Sequence, residues 1–219
     1  GLFIKSGLKP RFQSILIQAC GIASLLIGAG GTMAGMLTTT GNGFGTKNSM
    51  LLIFSLVLGG LLGEAINIEA GLERMGTRLK SVMKDNSDSR FVEGFVTASL
   101  IICVGAMAIV GSLQDGLTGD HALLFSKSIL DFVIVMVFAS TFGLGVMCSA
   151  LPLGILQGGV TLTAGLIAPI LSDALIANLS FVGSALIFCV GINITFGNKI
   201  KVGNLLPALL IPMVVSFFQ

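Results

Sequence analysis

Seven long apolar segments constrain the fold of this 219-residue chain more than any other feature. A helix that crosses a bilayer needs about 20 consecutive, mostly apolar residues, and each segment meets or approaches that length. The segments lie at 12–37, 50–68, 91–113, 125–151, 153–171, 174–196 and 204–218. They predict an all-α fold, a polytopic transmembrane helical bundle of about seven spans that forms one integral membrane domain over residues 1–219. We expect tight turns at Pro152 and at 172–173, and a tilt or kink in the last segment, which contains Pro207 and Pro212.

The composition excludes the water-soluble classes of protein. Charged residues make up 10% of the chain, whereas an average soluble domain has roughly 25%. With 54% hydrophobic residues and a mean hydropathy of +1.01, the chain has too few charges to cover a globule in water. A soluble enzyme, a nucleic-acid-binding protein and a secreted disulfide scaffold are therefore excluded. The four cysteines lie in apolar runs without a CxxC motif, so no redox or zinc site is expected.

The distribution of lysine and arginine predicts the orientation. Ten of the twelve lie before the first segment, in the second connection or in the sixth, which fall on one side of seven alternating spans. The positive-inside rule makes that side cytoplasmic and puts the C-terminus outside. Residues 69–90 carry five of these charges and have apolar residues at helical spacing, which predicts a cytoplasmic amphipathic connector. Because the chain opens on Gly1 and a basic segment, we also expect a preceding N-terminal helix, and eight spans in the intact protein.

Small residues recur at spacings of three and four along several spans, and this pattern predicts close helix packing. These seams are Gly21, Ser24, Gly28, Gly31 and Gly35; Gly154, Gly158, Thr161, Gly165 and Ala168; and Asp173, Ala177, Ser180, Ser184 and Gly191. The first, third and sixth spans also share a cysteine followed eight residues later by a glycine, in opposite predicted orientations. Such a repeat is the weak signature of an inverted-repeat transporter, and a chance match of short apolar strings is the alternative.

Ionisable groups inside a membrane are costly, so each candidate needs an explanation. Asp131 lies inside the fourth span, four residues after Lys127, and is interpreted either as a structural salt bridge or as a cation or proton site. Glu64 follows a glycine-rich run near the cytoplasmic end of the second span, with Asn67 close behind it. Glu64 either faces a cavity or reaches for water at the headgroups. Glu93 begins the third span, where the helix dipole alone favours a negative charge.

Other polar residues have a structural interpretation beside the functional one. Asp173 follows Ser172 at the start of the sixth span, where either residue suits a helix N-cap, and Asp173 also begins a small-residue seam. Gln157 and Asn193 are further candidates for solute binding, although interhelical hydrogen bonds are the more common role of such residues. The external loop contains Asp115, Asp120 and His121, the only histidine of the chain. This cluster predicts either a divalent-cation site or pH gate, or an ordinary solvated turn.

Several strings resemble one family of bacterial membrane proteins. They are GGLLGE at 59–64, FVEGFVTASL at 91–100, VGSLQDGLTGD at 110–120, KSILD at 127–131, LSDALI at 171–176 and KVGNLLP at 201–207. The chain resembles, over essentially its whole length, the YqgA/YdfK-like family, the domain of unknown function 554. The resemblance implies a multi-pass protein of the bacterial cytoplasmic membrane and a further apolar segment before Gly1. It implies no activity and no functional residues.

The leading functional hypothesis is a secondary transporter or ion-conducting protein for a small solute or monovalent cation. Asp131, Glu64 and Asp173 would supply its cation or proton sites. The alternative is a non-transporting structural or assembly partner, in which these acids are paired or capping. A membrane-embedded enzyme ranks third, because the chain has no Walker A, HExxH or GxSxG motif and a single histidine. The expected partners are lipid and the solute, with no cofactor and no nucleic acid, and a homo-oligomer is compatible with the sequence.

Overall fold

The computed structural model describes residues 10–40, 43–82, 91–103, 106–167, 172–197 and 199–216, and these are almost wholly helical. The helices are α1 (Pro10–Met36), α2 (Ser49–Ile66), α3 (Ile68–Val82), α4 (Phe91–Cys103), α5 (Ala106–Thr118), α6 (Ala122–Phe142), α7 (Leu144–Cys148), α8 (Ala150–Leu162), α9 (Ala164–Ile167), α10 (Asp173–Phe196), α11 (Val202–Leu205) and α12 (Leu210–Ser216). A 3₁₀ helix, Leu206–Leu209, joins α11 to α12, and strands β1 (Leu37–Thr40) and β2 (Gly43–Thr46) follow α1. The predictions for residues 1–9, for the end of the connector and for Ala168 lie outside the described residues.

Five segments of the described ranges are long and apolar enough to cross a membrane. They are Ser14–Met36, Ser49–Ile66, Ala122–Phe142, Leu144–Leu162 and Asp173–Phe196. Two shorter apolar helices, Phe91–Cys103 and Val202–Val215, correspond to the third and seventh predicted spans. The helical fold class is confirmed, whereas the number of crossings stays a prediction.

Helices α4 and α5 run parallel to α7 and α8. A Cβ atom added to Gly145 would overlap the carbonyl group of Phe91, and one added to Gly116 would overlap the carbonyl oxygen of Thr161. The Thr161 hydroxyl also donates a hydrogen bond of 3.1 Å to the carbonyl oxygen of Ser112. The stretch from α4 through α5 thus lies beside the span Leu144–Leu162 over most of its length.

The predicted boundary between the fourth and fifth spans is wrong. The sequence suggested a turn at Pro152, but α6 ends at Phe142 and α7 begins at Leu144. Gly143 between them has φ 77° and ψ −144°, a conformation that ends the helix and that glycine adopts without steric cost. Pro152 instead lies in the first turn of α8, where the backbone N–H groups have no partner within the helix, so a missing N–H is tolerated.

The connection between α1 and α2 contains a β-hairpin. Strands β1 and β2 pair antiparallel, with Leu37 opposite Thr46 and Thr40 opposite Gly43. Three consecutive threonines form most of β1, and β-branched residues favour extended backbone. The hairpin closes on the end of α1 through a hydrogen bond of 2.7 Å from the Lys47 N–H to the Met36 carbonyl oxygen.

The predicted seams of the first and sixth spans pack against each other. A Cβ atom added to Gly28 would overlap the backbone of Phe188, and one added to Gly31 would overlap Ser184. Near the middle of the same contact, Gly191 lies against the backbone of Leu25. The pairing makes α1 and α10 antiparallel neighbours, as the predicted orientations require. An inverted repeat that includes these spans stays a prediction.

The seam of the fifth predicted span has a different environment. Thr161 bonds to α5, but a Cβ atom added to Gly154, Gly158 or Gly165 would meet nothing within 4 Å among the described residues. These three glycines therefore make no close helix contact in the part of the chain that the structure describes.

The buried core consists of three apolar clusters. The first joins α4, α6 and α7, the second joins α4, α10 and α11, and the third joins α10 to the 3₁₀ helix. Their buried members are Ala98, Phe138, Ala139, Phe142 and Val146; Leu100, Leu186, Val190 and Val202; and Phe181, Val182 and Ala208. The kink predicted in the last segment is confirmed, because the 3₁₀ helix that contains Pro207 interrupts it.

Candidate functional site

The turn between α2 and α3 brings two acidic residues to one end of the bundle. Asn67 makes this turn with φ 58°, a left-handed conformation that asparagine tolerates better than most residues. Its backbone N–H donates to the carbonyl oxygen of Gly63 at 2.7 Å, and its side-chain oxygen accepts from the Ala70 N–H at 3.4 Å. Asn67, a predicted site residue, therefore positions Glu64 and Glu69 on either side of the turn.

Glu64 is held by the segment that begins the last helix. Its carboxylate accepts hydrogen bonds from the Lys201 ammonium group at 2.6 Å and from the Asn204 side-chain amide at 2.7 Å. Glu64 and Lys201 are both exposed, whereas Asn204 is only 2% exposed. The Glu64 carboxylate raises the pKa of Lys201, because it accepts a hydrogen bond from the ammonium group. Glu64 is thus paired with Lys201 and Asn204 at the rim of the bundle.

Asn204 binds both acidic segments at once. Its side-chain oxygen accepts from the Glu69 N–H at 2.8 Å, while its side-chain nitrogen donates to Glu64. The Glu69 carboxylate in turn accepts from the Gly203 N–H at 3.0 Å. We call Glu64, Glu69, Lys201, Gly203 and Asn204 the polar junction.

Glycine permits the close approach of backbones at the polar junction. A Cβ atom added to Gly63 would overlap the carbonyl oxygen of Asn204, and one added to Gly203 would lie 2.9 Å from the Cβ of Glu69. One turn earlier in α2, Gly59 lies in the same way against Ala208. Gly63 thus packs on Asn204 in the KVGNLLP string, and Gly203 of that string packs on Glu69 at the start of α3.

A cavity of about 290 Å³ lies beside the polar junction, between α3, α4 and α10. Its lining comprises the acidic residues Glu69, Glu73 and Glu93, the polar residues Thr97 and Asn193, and the apolar residues Val92, Val96, Leu100 and Val190. Burial raises the pKa of Glu69, and the neighbouring Glu73 adds to this, while the hydrogen bond from Gly203 acts in the opposite direction. Among the described residues, no three acidic, histidine or cysteine side chains are grouped closely enough to hold a metal ion.

Glu69 and Glu73 are site residues that were not predicted from the sequence, although a signal was present. The two acids are four residues apart on one face of α3, and like charges at that spacing destabilise an isolated helix. The presence of both on a face that packs against other helices could have indicated a site. Glu93, interpreted from the sequence as a helix-dipole residue, does lie in the first turn of α4 and also lines the cavity.

Asn193 has a structural role beside the cavity that it lines. Its side-chain amide donates to the Ile200 carbonyl oxygen at 2.6 Å, and its side-chain oxygen accepts from the N–H groups of Lys199 and Ile200 at 3.0 and 2.9 Å. These bonds fold the connection between α10 and α11 back onto α10. They thereby help to place Lys201 next to Glu64.

Asp131 and Lys127 form an ion pair on α6, one turn apart. The Lys127 residue is only 6% exposed, and Asp131 is partly buried. Cys103, at the end of α4, lies close enough for both charges to act on it. Asp131 therefore has a counter-charge within its own helix and is not a member of the polar junction.

The remaining predicted residues lie outside the polar junction and the cavity. Ser172 caps α10 by accepting from the Leu175 N–H at 3.2 Å, so Asp173 is the first helical residue instead and is exposed. Gln157 is half-buried on α8 and makes no hydrogen bond with the described residues. Neither Asp173 nor Gln157 lies beside the other candidate residues.

The loop between α5 and α6 adopts ordinary turn geometry with one ionic contact. The His121 Nδ1 atom lies 2.7 Å from a carboxylate oxygen of Asp115, and the Asp120 carboxylate accepts from the Ala122 N–H at 3.0 Å. Asp120 thus holds the start of α6, and Gly119 turns the chain with φ 70°. The three predicted residues are close in space, but their bonds hold α5 to α6.

Substituting Asn204 by leucine is expected to lower the free energy of unfolding by about 2 kcal/mol. The change removes the acceptor of the Glu69 N–H and a donor to Glu64, and an unsatisfied buried polar group costs about 1–3 kcal/mol. Reversible unfolding in detergent–SDS mixtures measures the difference. Asn178→Leu is the matched control, because the half-buried Asn178 makes no hydrogen bond with the described residues and its loss should cost little. Equal effects of the two substitutions would contradict a structural role for the Asn204 bonds.

Comparison with known proteins places the chain beside two bacterial relatives. Residues 1–217 match the family described as "Protein of unknown function (DUF554)". The chain is 37% identical over 217 residues to "Uncharacterized membrane protein YdfK" of Bacillus subtilis (strain 168), which covers 99% of the chain and 88% of that relative. It is 28% identical over 220 residues to "Uncharacterized protein YqgA" of Escherichia coli (strain K12), covering 99% and 89%. No solved structure matches the chain.

Proposed function

From the premise that this chain belongs to the DUF554 family and is a membrane protein, we propose that it is a secondary transporter or an ion-conducting protein for a small solute or cation. The observation that carries the proposal is the cavity lined by Glu69, Glu73 and Glu93. Burial and the neighbouring charge of Glu73 raise the pKa of Glu69, so a proton or a cation that offsets these charges would be stabilised at the cavity. The function proposed is binding and movement, not catalysis.

The position of the cavity supports movement across the membrane. The cavity adjoins the polar junction, where the acids of α2 and α3 meet a helix that is interrupted by a 3₁₀ turn. Interrupted helices in transporters expose backbone groups that coordinate ions near the middle of the membrane. The polar junction thus joins the acidic cavity to an interrupted helix, and interrupted helices line the transport paths of many transporters.

In the same proposal, Asp131 would be a second binding site for the cation or proton. Its pairing with Lys127 keeps the buried charges neutral in the state that the structure describes. A cation or proton that bound Asp131 would compete with the Lys127 ammonium group for the same carboxylate.

We propose that the acidic cavity opens toward the cytoplasm in the bacterial inner membrane. The bonds between Lys201 and Glu64 put the start of α3 and the connection after α10 at the same end of the bundle. Both segments belong to the basic side of the chain, which the positive-inside rule makes cytoplasmic. On this orientation the C-terminus lies outside.

The proposal is tested by cation flux into proteoliposomes that contain the purified protein. We expect flux of Na⁺, K⁺ or H⁺ above that of empty liposomes, and a loss of about tenfold or more in Glu69→Gln, because one charged ligand is worth at least 1.4 kcal/mol. Since burial raises the pKa of Glu69, a proton competes with the cation for this carboxylate, and cation binding should weaken as the pH falls toward the raised pKa. Asp173→Asn is the matched control, because Asp173 is exposed and does not line the cavity. Absence of flux for all three ions, or full flux in Glu69→Gln, would contradict the proposal.

One observation favours the alternative of a structural or assembly partner. Gly154, Gly158 and Gly165 form a stripe on the fifth predicted span that has no close neighbour among the described residues. Glycine destabilises a helix and is useful in a span where another backbone approaches. A second copy of the chain or another membrane protein would supply such a contact, and chemical crosslinking at this stripe in native membranes would detect it.

A further inference from the structure

The Ser55 hydroxyl is an exception among the buried serines. Ser55 is 0% exposed in the middle of α2, and its hydroxyl has no hydrogen-bond partner among the described residues. By contrast, every other buried serine of the described chain donates to a carbonyl oxygen of its own helix or turn: Ser99 to Phe95, Ser112 to Ala108, Ser140 to Val137 and Ser149 to Val146. Burying a hydroxyl without a partner costs free energy, so a ligand that completes its bonding would be stabilised there.

The register of α2 against the last helix shows what Ser55 faces. Gly63 packs on Asn204 and Gly59 packs on Ala208, so each step of four residues back along α2 is a step of four forward along the partner. One further step puts Ser55 level with Pro212, which is also fully buried. Ser55, Gly59 and Gly63 are the buried residues of α2 and form one stripe.

The partner helix is short of donors at this level. Pro212 has no backbone N–H, so it cannot donate to the carbonyl oxygen of Ala208 as a helical residue would. The 3₁₀ turn before it places further carbonyl groups out of the regular α-helical pattern. The Ala208 carbonyl oxygen accepts from the Leu210 N–H within this turn, and because a carbonyl oxygen has two lone pairs it keeps acceptor capacity that a cation can use.

We propose that the Ser55 hydroxyl and backbone carbonyl oxygens of the segment 208–212 form a binding site for a dehydrated monovalent cation. The site has neutral oxygen ligands, and divalent cations in proteins usually require carboxylates, so a single positive charge fits it best. It lies on the same stripe of α2 as Gly63, and Glu64 of the polar junction follows Gly63 directly. The inference rests on the proposed function for its place in a transport path, and it names the class of ion.

The test is ion-dependent thermal unfolding of the purified full chain, titrated with LiCl, NaCl or KCl against choline chloride at constant ionic strength. We expect a saturable rise of the melting temperature with one of the three ions in the wild type. Ser55→Ala and Ser55→Cys should weaken the apparent affinity at least about tenfold, because a hard oxygen ligand is lost. Ser99→Ala is the matched control, since the Ser99 hydroxyl already donates to its own helix at 2.6 Å and should leave the ion response unchanged.

The outcomes separate this inference from the proposed function. Without the ion, Ser55→Ala should be as stable as the wild type or more so, because an unsatisfied hydroxyl is removed. A wild type without a saturable response to any of the three ions, or a response that Ser55→Ala retains, would overturn the site. Flux that depends on Glu69 but not on Ser55 would overturn the site and leave the proposed function standing. Ion binding that depends on Ser55 without any flux would support the site and overturn transport.

Discussion

The Asp131→Asn variant is expected to unfold with a free energy about 3–5 kcal/mol lower than that of the wild type. The reason is its partner, because the Lys127 residue is 6% exposed and loses its only counter-charge in α6. Removing one member of a buried ion pair leaves an uncompensated charge, which is the main cost in such variants. Unfolding in detergent–SDS mixtures at neutral pH measures the change.

The double substitution Lys127→Met with Asp131→Asn serves as the control. It removes both charges, so most of the lost stability should return, since an ion pair replaced by apolar and neutral groups is often neutral in its effect. Asp120→Asn, on the exposed loop, should change stability little. An Asp131→Asn protein of full stability with lost flux would show that the carboxylate serves ion movement rather than the fold.

Introducing a methyl group at Gly28 should separate α1 from α10. The new Cβ atom would overlap the backbone of Phe188, and a backbone cannot rotate away as a side chain can. We therefore expect Gly28→Ala to cost about 3 kcal/mol, at the upper end of the range for overpacked sites. The same unfolding assay measures this loss.

Gly30 provides the matched control on the same helix. A Cβ atom at Gly30 would meet nothing within 4 Å, so Gly30→Ala has no steric cost. Alanine favours a helix over glycine by about 1 kcal/mol, and the variant should be slightly more stable than the wild type. If both alanines had the same effect, the α1–α10 contact could not be the close packing that the structure describes.

Features that depend only on the spacing of residues within one helix were predictable from the sequence. The glycines of α1 recur at spacings of three and four, and that spacing is sufficient to place them on one face and predict a close helix contact. Lys127 and Asp131 are four residues apart, so their pairing follows from helix geometry alone. Glu64, in contrast, pairs with Lys201, 137 residues away, and no local pattern contains that information.

Two failures have identifiable physical causes. The break at Gly143 was missed because proline is a stronger sign of a helix end than an isolated glycine, and Pro152 happens to lie in a first turn where it is tolerated. Glu69 and Glu73 were assigned to the amphipathic connector because charged residues between spans usually face water. Their approach to Glu93 depends on how α3 packs on α4, through Gly76 against Phe95, and this is a tertiary contact.

The bonds of Asn204 also have a consequence for the biosynthesis of the protein. Asn204 contacts Glu64 and Glu69 across 140 and 135 residues, so these bonds cannot form until residue 204 has left the ribosome. Until then the glycine face of α2 is unfilled and its carboxylate has no amide donor. Helices α2 and α3 of the nascent protein must therefore wait for α11, and a chain shortened before residue 204 would leave the Glu64 carboxylate without its amide donor.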